Sequence, residues 1–299
     1  MEYIGPFAFN GIRFILGSVS LFPLIALRNR SARIPIKKSF PGALLAGSCC
    51  FIAVTFQQIG IIFTTAGNAG FITGLYVVLT PIIGIFLGRK TGKATWAGVV
   101  LTLTGLWFVS AAGRLGSLNP GDILIAVGAV FWAFHVLIID FLVKKTDPIV
   151  LSSGQFIVCG IFSLTAAFLA EPVLAACFSR PVIFMAMELP QGLFEWKPFP
   201  ALLRGLSSGT IPFSLVSGAI IPILFGGLAS VGIAYTLQVV AQKHAPPAHA
   251  TIILCLEGLF AALGGILLLN EPLVPATILG FTLMLSGMLV SQWGISRHT

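Results

Sequence analysis

The sequence contains very little charge. Only 9% of its 299 residues are Asp, Glu, Lys or Arg, whereas about a quarter are charged in an average soluble domain. At the same time 57% of the residues are hydrophobic, and the mean hydropathy is +1.02. This composition excludes an ordinary soluble domain and predicts a polytopic membrane protein.

Signatures of several kinds of chemistry are also absent. The sequence has no CxxC, no cluster of Cys with His, no GxxxxGK[ST] and no HExxH. A built-in P-loop ATPase is therefore excluded, and no cofactor or metal is predicted. The five cysteines lie mostly in apolar runs, where they are expected to be small packing residues. No basic segment precedes the first apolar run, so no cleavable signal peptide is predicted.

The sequence does contain apolar runs long enough to cross a bilayer, which takes about 20 residues. Nine are predicted to span: 7–27, 41–63, 68–88, 94–112, 121–143, 149–170, 216–240, 248–269 and 275–294. The segment 171–215 is broken by prolines and charges. It is predicted to be an interfacial insert with an amphipathic helix near 199–207. A tenth span within 173–187 is the alternative.

Lys and Arg are concentrated at alternate ends of these runs. Twelve of the 17 basic residues follow the first, third, fifth, seventh or ninth run. Because cytoplasmic loops are enriched in Lys and Arg, this side is predicted to be cytoplasmic, together with the C-terminus. The net charge of +8 is explained by basic cytoplasmic loops that face anionic lipid, so no nucleic-acid partner is predicted.

The two halves of the sequence resemble each other. "ATWAGVVLTLTG" (94–105) and "ATILGFTLMLSG" (276–287) are identical at six of 12 positions, with an offset of 182. Small residues at such spacing let helix backbones approach closely. The loop 88–93 is basic, whereas its counterpart 270–274 has no basic residue. This contrast predicts repeats of opposite orientation, which are typical of secondary transporters.

A second match places the repeat boundaries. "RFI" (13–15) corresponds to "QFI" (155–157) with an offset of 142, and the two offsets differ by about the length of the insert. We predict a first repeat over 1–112 and a second over 121–294. The second contains five predicted spans and the first only four. The opening helix of the first repeat is therefore expected to be missing, through a late start codon or as a genuine nine-span variant.

Four stretches carry a family resemblance: "GIRFILGSVSLFPLIAL" (11–27), "TTAGNAGFITGLYVVLTPIIGIFLG" (64–88), "GAVFWAFHVLIIDFLVKK" (128–145) and "AHATIILCLEGLFAALGGILLLNEPL" (248–273). In these the chain resembles the EamA-like branch of the drug/metabolite transporter superfamily, over nearly its whole length except 171–215. The resemblance implies two inverted five-helix repeats. It also implies a plasma-membrane carrier, often an exporter of amino acids or other small metabolites. Arg89 stands where this family usually has a glutamate.

Two charged residues within the predicted spans are candidate transport residues. Glu257 lies about ten residues into its span, where a lone carboxylate is costly. It is a proton-coupling site, a ligand for a substrate amine, or a structural group bonded to a neighbouring helix. Arg13 is a bidentate clamp for a substrate carboxylate or an arginine that reaches to the membrane surface. Asp140 is predicted to pair with Lys144, four residues further on.

The other candidates are uncharged at neutral pH. His135 and Trp132 are three residues apart and share a helix face. His135 is a proton relay or a packed histidine, and Trp132 lines the path or packs. The remaining candidates are amides and tyrosines, for which interhelical hydrogen bonding is the alternative: Gln155, Gln57, Gln238, Tyr76 and Tyr235.

The favoured function is a secondary carrier that works by alternating access around a central polar cavity. Its energy would come from a proton gradient, through Glu257 or His135, or from the substrate's own gradient. An arginine and a glutamate together would suit a zwitterion such as an amino acid. The alternatives are a truncated or non-transporting membrane paralogue and, less favoured, an intramembrane enzyme. The expected partners are a small-molecule substrate and the lipid bilayer.

Overall fold

A computed structural model describes residues 4–31, 36–64, 66–111, 120–178, 220–269 and 274–296. The elements in these ranges are α1 (Pro6–Ser31), α2 (Ile36–Gly60), α3 (Ala66–Gly74), α4 (Tyr76–Phe86), α5 (Lys93–Ala111), α6 (Pro120–Leu142), α7 (Pro148–Phe178), a π-helix π1 (Phe225–Tyr235), α8 (Thr236–Gln242), α9 (Pro247–Leu254), α10 (Leu256–Leu269) and α11 (Pro275–Ser296). Within these ranges there is no strand, which confirms the prediction of an all-α protein.

Seven helical segments in the described ranges are long and apolar enough to cross a membrane. They coincide with seven of the nine predicted runs, which confirms a polytopic membrane protein. The other two predicted runs correspond to shorter apolar helices, Lys93–Val109 and Pro247–Phe260. α7 continues to Phe178, beyond the predicted end of its run at residue 170. The predicted amphipathic helix and most of the predicted insert lie outside the described residues.

The chain divides into two compact units that cut across the order of the sequence. The first comprises Met1–Phe51 and Ile149–Leu237, and the second comprises Ile52–Pro148 and Gln238–Thr299. Each unit therefore combines helices from both halves of the chain. The repeats predicted from the sequence match, 1–112 and 121–294, have different bounds from these units. They remain a prediction.

In the first unit α1 packs against α7 and π1. The Ser18 hydroxyl of α1 donates a hydrogen bond of 3.0 Å to the Ser153 carbonyl of α7. On the π1 side, a Cβ added to Gly17 would lie only 2.9 Å from the Gly227 carbonyl oxygen. The backbones can approach this closely because neither residue has a side chain. Such contacts replace the hydrophobic driving force that is missing between helices in lipid.

The second unit is built on a backbone contact between α5 and α11. A Cβ added to Gly98 would lie 2.6 Å from the Gly287 carbonyl oxygen, and one added to Gly105 would lie 2.6 Å from that of Gly280. The contact is reciprocal, because Cβ atoms on Gly280 and Gly287 would lie 2.6 and 2.7 Å from the carbonyl oxygens of Gly105 and Gly98. The order of these contacts makes the two helices antiparallel. We refer to these four glycines as the glycine seam.

α6 is fixed at both ends by buried carboxylates in the second unit. Asp122, in its first turn, accepts a hydrogen bond of 2.6 Å from the Thr64 hydroxyl. Near the other end, Asp140 pairs with Lys144 at 3.1 Å and with Arg89 at 2.5 Å. The predicted pair of Asp140 with Lys144 is thus confirmed. The bond to Arg89 ties the α4–α5 connection to α6 and had no signal in the sequence.

The cysteines are packing residues, as predicted, wherever the structure describes them. Cys49, Cys50, Cys159 and Cys255 are buried and have free thiols. The described residues contain no group of three or more His, Cys, Asp or Glu side chains that could hold a metal ion.

The glycine seam gives a first testable expectation. We expect Gly280→Ala to lower the free energy of unfolding by about 1–3 kcal/mol, because the added methyl group overpacks a tight contact. Gly264→Ala, in α10, is the matched control, since a Cβ there would meet no atom within 4 Å. Removing a glycine from a helix interior should leave stability equal or raise it by up to about 1 kcal/mol. Thermal unfolding in detergent compares the two variants, and equal melting temperatures would contradict the expectation.

Candidate transport site

Two apolar spans of the second unit each contain one irregular turn near the middle, where the backbone nevertheless stays right-handed helical. The first turn is at Leu75, between α3 and α4, and the second is at Cys255, between α9 and α10. The Leu75 N–H donates to the carbonyl of Ile72 at 3.1 Å, and the Gly258 N–H donates to that of Cys255 at 3.1 Å. These bonds reach back three residues rather than four, so each span contains one tight turn. Irregular helix at membrane depth is tolerated where it is buried in protein or lines a cavity.

The two turns contact each other. The Cys255 thiol donates to the Gly74 carbonyl at 3.8 Å, and the Tyr76 side chain packs against the buried cluster that contains Cys255. Leu106 of α5 packs against both breaks. A Cβ on Gly74 would overlap its side chain, and one on Gly258 would lie 3.0 Å from its Cδ1. The absence of a side chain at Gly74 is therefore what allows α3 to reach α5 here. We call this contact the paired break.

A chain of polar side chains leads from α6 to the paired break. The Trp132 indole N–H donates to Gln57 Oε1 at 3.1 Å, and Gln57 Nε2 donates to the Thr73 hydroxyl at 3.3 Å. The imidazole of His135 meets the indole of Trp132 edge to face, with centroids 5.6 Å apart. Thr73 directly precedes Gly74, so the chain ends at the break. The predicted shared face of Trp132 and His135 is confirmed.

Glu257 lies beside the paired break. It is in the first turn of α10, two residues after Cys255, and its side chain is exposed on the second unit. The first turn of a helix favours a negative charge. The carboxylate therefore has an electrostatically favourable position and an exposed side chain.

The predicted site residues fall into two groups. Arg13, Gln155 and Tyr235 lie in the first unit, whereas Gln57, Tyr76, Trp132, His135, Gln238 and Glu257 lie in the second. Gln57, Trp132 and His135 form the polar chain, and Tyr76 and Glu257 adjoin its end. Gln238 is half-buried in α8.

Arg13 is held by aromatic rings in the first unit. Its guanidinium carbon lies 5.2 Å from the Phe9 ring centroid and 5.3 Å from that of Phe14. Its Nε is buried and has no hydrogen-bond partner among the described residues. The side chains that the structure describes in this unit include no carboxylate. The cation is thus partly compensated by the ring faces and retains donors for an anion.

The other two predicted residues of the first unit lie in its core. Gln155 is 1% exposed. The Tyr235 ring packs with those of Phe14 and Phe156, at centroid distances of 6.1 and 6.4 Å. Tyr235 ends π1, a form of helix that is often found at functional sites. π1 also contacts the arginine, since a Cβ on Gly226 would lie 3.5 Å from Arg13 Cδ.

One polar cluster was missed by sequence analysis. His249 in α9 is buried, with Nε2 3.2 Å from the Thr95 hydroxyl and Nδ1 2.5 Å from the Ser291 hydroxyl. Both hydroxyls can donate or accept, so they satisfy the imidazole in its neutral and its charged form. The sequence did contain a signal for this cluster, because each of the three residues lies near the end of a predicted span on the same side of the membrane.

These features define a multi-pass helical membrane protein with polar groups inside its spans. Comparison with known families specifies the class. Residues 1–111 and 119–292 match the EamA-like transporter family, and the chain belongs to that family. The protein is therefore a membrane transporter, and its family relationships indicate a transporter rather than an enzyme.

Individual relatives agree with this assignment. An uncharacterized transporter from Archaeoglobus fulgidus is 28% identical over 293 residues, which is 97% of this chain and 78% of the relative. The uncharacterized inner membrane transporter YedA of Escherichia coli K12 is 24% identical over 180 residues, covering 57% of this chain and 56% of that protein. One solved structure has a TM-score of 0.71 at 17% identity, covering 97% of this chain and 89% of the other. That likeness shows the fold alone.

The polar chain gives a second testable expectation. We expect Gln57→Met to lower the free energy of unfolding by about 1–3 kcal/mol, because the Trp132 N–H would lose its buried partner. Trp132→Phe in the Gln57→Met background removes that orphaned donor, so it should cost less than it does in the wild type. Chemical or thermal unfolding of all four proteins measures the coupling. Additive effects would contradict the interaction.

Proposed function

We propose that this protein is a secondary carrier that moves small organic solutes, such as amino acids, out of the cell by alternating access. The observation that carries this proposal is the exposed carboxylate of Glu257 beside the paired break. Irregular helix at membrane depth is tolerated where it is buried in protein or lines a cavity, and substrate sites of secondary transporters lie near the midplane.

The exposure of Glu257 argues for a water-filled path. A carboxylate that faced lipid at this depth would cost about 2.5–3.5 kcal/mol or more. Such residues therefore face protein or a water-filled cavity. Since Glu257 is exposed on its own unit, a cavity that substrate can enter explains its position better than a packed interface with lipid.

Two roles are open to this carboxylate, and both serve transport. As a carboxylate it would attract the ammonium group of a substrate. As a group that takes up and releases a proton, it would couple movement of the substrate to a proton gradient. His135, at the other end of the polar chain, is the second candidate for carrying a proton.

The glycine seam supports the proposed inverted repeats. Gly98 and Gly280 are equivalent positions in the sequence match, and so are Gly105 and Gly287. Gly98 contacts Gly287, which is the equivalent of Gly105, and Gly105 contacts Gly280, which is the equivalent of Gly98. The two helices are antiparallel. A two-fold axis that exchanges antiparallel helices must be perpendicular to them, and for helices that cross a membrane it lies in the membrane plane. Repeats related in this way provide the two access states by exchanging conformations.

Arg13 supports a substrate with an anionic group. Its guanidinium presents planar paired donors that match a carboxylate, and the described side chains of its unit offer no competing carboxylate. Its interaction with a substrate can be tested separately from that of Glu257.

Transport in proteoliposomes tests the role of Glu257. A mixed panel of amino acids and metabolites is assayed by counterflow and uptake, with and without an imposed pH gradient. We expect Glu257→Gln to abolish the uptake that a pH gradient drives, because the amide cannot carry a proton, and to abolish counterflow as well if the carboxylate pairs with an ammonium group. Glu257→Asp should retain part of the activity.

The matched control is Glu271→Gln, which removes the other carboxylate of the same apolar stretch and should leave transport near the wild-type rate. If the pH gradient stimulates the wild type and Glu257→Gln keeps gradient-independent counterflow, the carboxylate couples protons. Loss of counterflow as well assigns it to substrate binding. Full activity of Glu257→Gln in both assays would contradict the proposal.

Substrate analogues test the role of Arg13. We expect Arg13→Lys to raise KM about tenfold for a substrate with a carboxylate, since one charge-assisted hydrogen bond of the pair is lost. The corresponding amine without the carboxylate should be transported equally by both proteins. A KM that rises alike for both compounds would show that Arg13 is structural.

A further inference from the structure

Two basic connections of the second unit meet at one buried carboxylate. Arg89 and Lys90 lie in the connection between α4 and α5, and Lys144 and Lys145 lie in the connection after α6. Asp140 joins the two connections, because its Oδ2 atom lies 2.5 Å from Arg89 Nη1 and 3.1 Å from Lys144 Nζ. Four cations from distant parts of the sequence are thereby held close together. We call these four cations the basic patch.

The direction of Arg89 is fixed by the turn that precedes it. Gly88 has a φ of +77°, a left-handed conformation that glycine adopts without strain. The turn lets the Arg89 N–H donate to the Gly84 carbonyl at 2.9 Å, which is the long bond of a Schellman helix end. The arginine stem then lies over Gly84, where an added Cβ would be 3.7 Å from Arg89 Cδ. The side chain is therefore directed back along α4 to Asp140.

Arg89 keeps donors for a further anion. Its side chain is 32% exposed, whereas that of Asp140 is 2% exposed. A guanidinium has five N–H donors, and among the described residues Asp140 is the only side chain that Arg89 contacts through them. The remaining donors form a planar fork that suits phosphate oxygens. An anion that approaches from outside therefore meets the guanidinium while the buried carboxylate is shielded.

The surroundings of the basic patch carry an excess of positive charge. Lys93, the first residue of α5, adds a fifth cation to the segment 84–93, which has no acidic residue. The segment 137–148 has only two carboxylates, Asp140 and Asp147. Five cations against two carboxylates leave a net charge of +3. The patch is therefore complementary to an anion.

Exposed aromatic rings place this patch at the edge of the lipid. Phe86, at the end of α4, is 85% exposed, and Phe141, near the end of α6, is 53% exposed. Both residues end segments that are long and apolar enough to cross a membrane. Lys145 Nζ lies 3.7 Å from the centroid of the Phe141 ring. Since exposed rings favour hydrocarbon over water, the cations lie where lipid headgroups meet acyl chains.

We propose that the basic patch binds the headgroup of one anionic phospholipid from the predicted cytoplasmic leaflet. Arg89 donates paired hydrogen bonds to the phosphate, and Lys90 and Lys145 contribute charge from the two connections. The acyl chains lie against the two exposed phenylalanines. Asp140 positions the arginine and does not contact the lipid. The site is separate from the transport proposal, and its test requires no transport measurement.

Native mass spectrometry of the full chain in detergent tests the site. The probes are phosphatidylglycerol and phosphatidylcholine with the same acyl chains, which differ in the net charge of the headgroup. We expect the first phosphatidylglycerol to bind about tenfold more tightly than phosphatidylcholine, because each nearby cation attracts an anionic lipid. Lys90→Gln with Lys145→Gln should remove most of this preference, and neither lysine bonds to Asp140. Equal affinities for the two lipids in the wild type would overturn the proposal.

The matched control is Arg28→Gln with Lys243→Gln, which removes the same charge from exposed residues elsewhere on the predicted cytoplasmic side. It should keep the preference for phosphatidylglycerol, and an equal loss in both double variants would show unspecific attraction and overturn the site. Arg89→Lys keeps the charge but not the paired donors. It should weaken binding severalfold, and wild-type affinity would contradict the contact with the phosphate. Millimolar glycerol phosphate should leave the lipid bound, and displacement would assign the patch to soluble anions instead.

Discussion

The backbone contact between α5 and α11 is the constraint on which the second unit depends. Lipid tails are as apolar as leucine, so helices in a membrane gain little by covering apolar side chains and must associate through close packing. The glycine seam provides that packing, since carbonyl oxygens occupy the space where Cβ atoms would be. It also fixes α5, whose Leu106 packs against Gly74 and Gly258. If α5 moved away, both irregular spans would lose the surface that supports their tight turns.

The paired break is tolerated because its polar groups have partners. The Cys255 thiol bonds to the Gly74 carbonyl, and the Trp132–Gln57–Thr73 chain supports the end of α3 from α6. α6 is in turn fixed at both ends by Asp122 and Asp140, which bond to the connections after α2 and after α4. Several separate polar contacts therefore hold α6 and the two irregular helices at membrane depth, where unsatisfied backbone groups would be costly.

Two carboxylates of the same unit show how environment assigns a role. Asp140 is 1% exposed and is compensated by Arg89 and Lys144, so it fixes a connection and is shielded from solute. Glu257 is exposed beside the break, which is why we propose it, rather than Asp140, as the carboxylate that meets a substrate or protons. Arg13, in the first unit, is half-buried, and its guanidinium lies near the rings of Phe9 and Phe14.

The sequence by itself determined the class of protein, the positions of the spans and the contacts within single helices. Composition and run length report burial in lipid directly, and pairs such as Trp132 with His135 or Asp140 with Lys144 follow from helical periodicity. Only the tertiary structure decided the bonds between distant segments: Arg89 with Asp140, Gln57 with Trp132, and His249 with Thr95 and Ser291. It also placed Arg13 and Glu257 in different units. In an apolar span many neighbouring helices offer the same surface, so local sequence does not specify which helix a polar side chain meets. That is determined by how closely the helix backbones pack, and close packing depends on where side chains are absent.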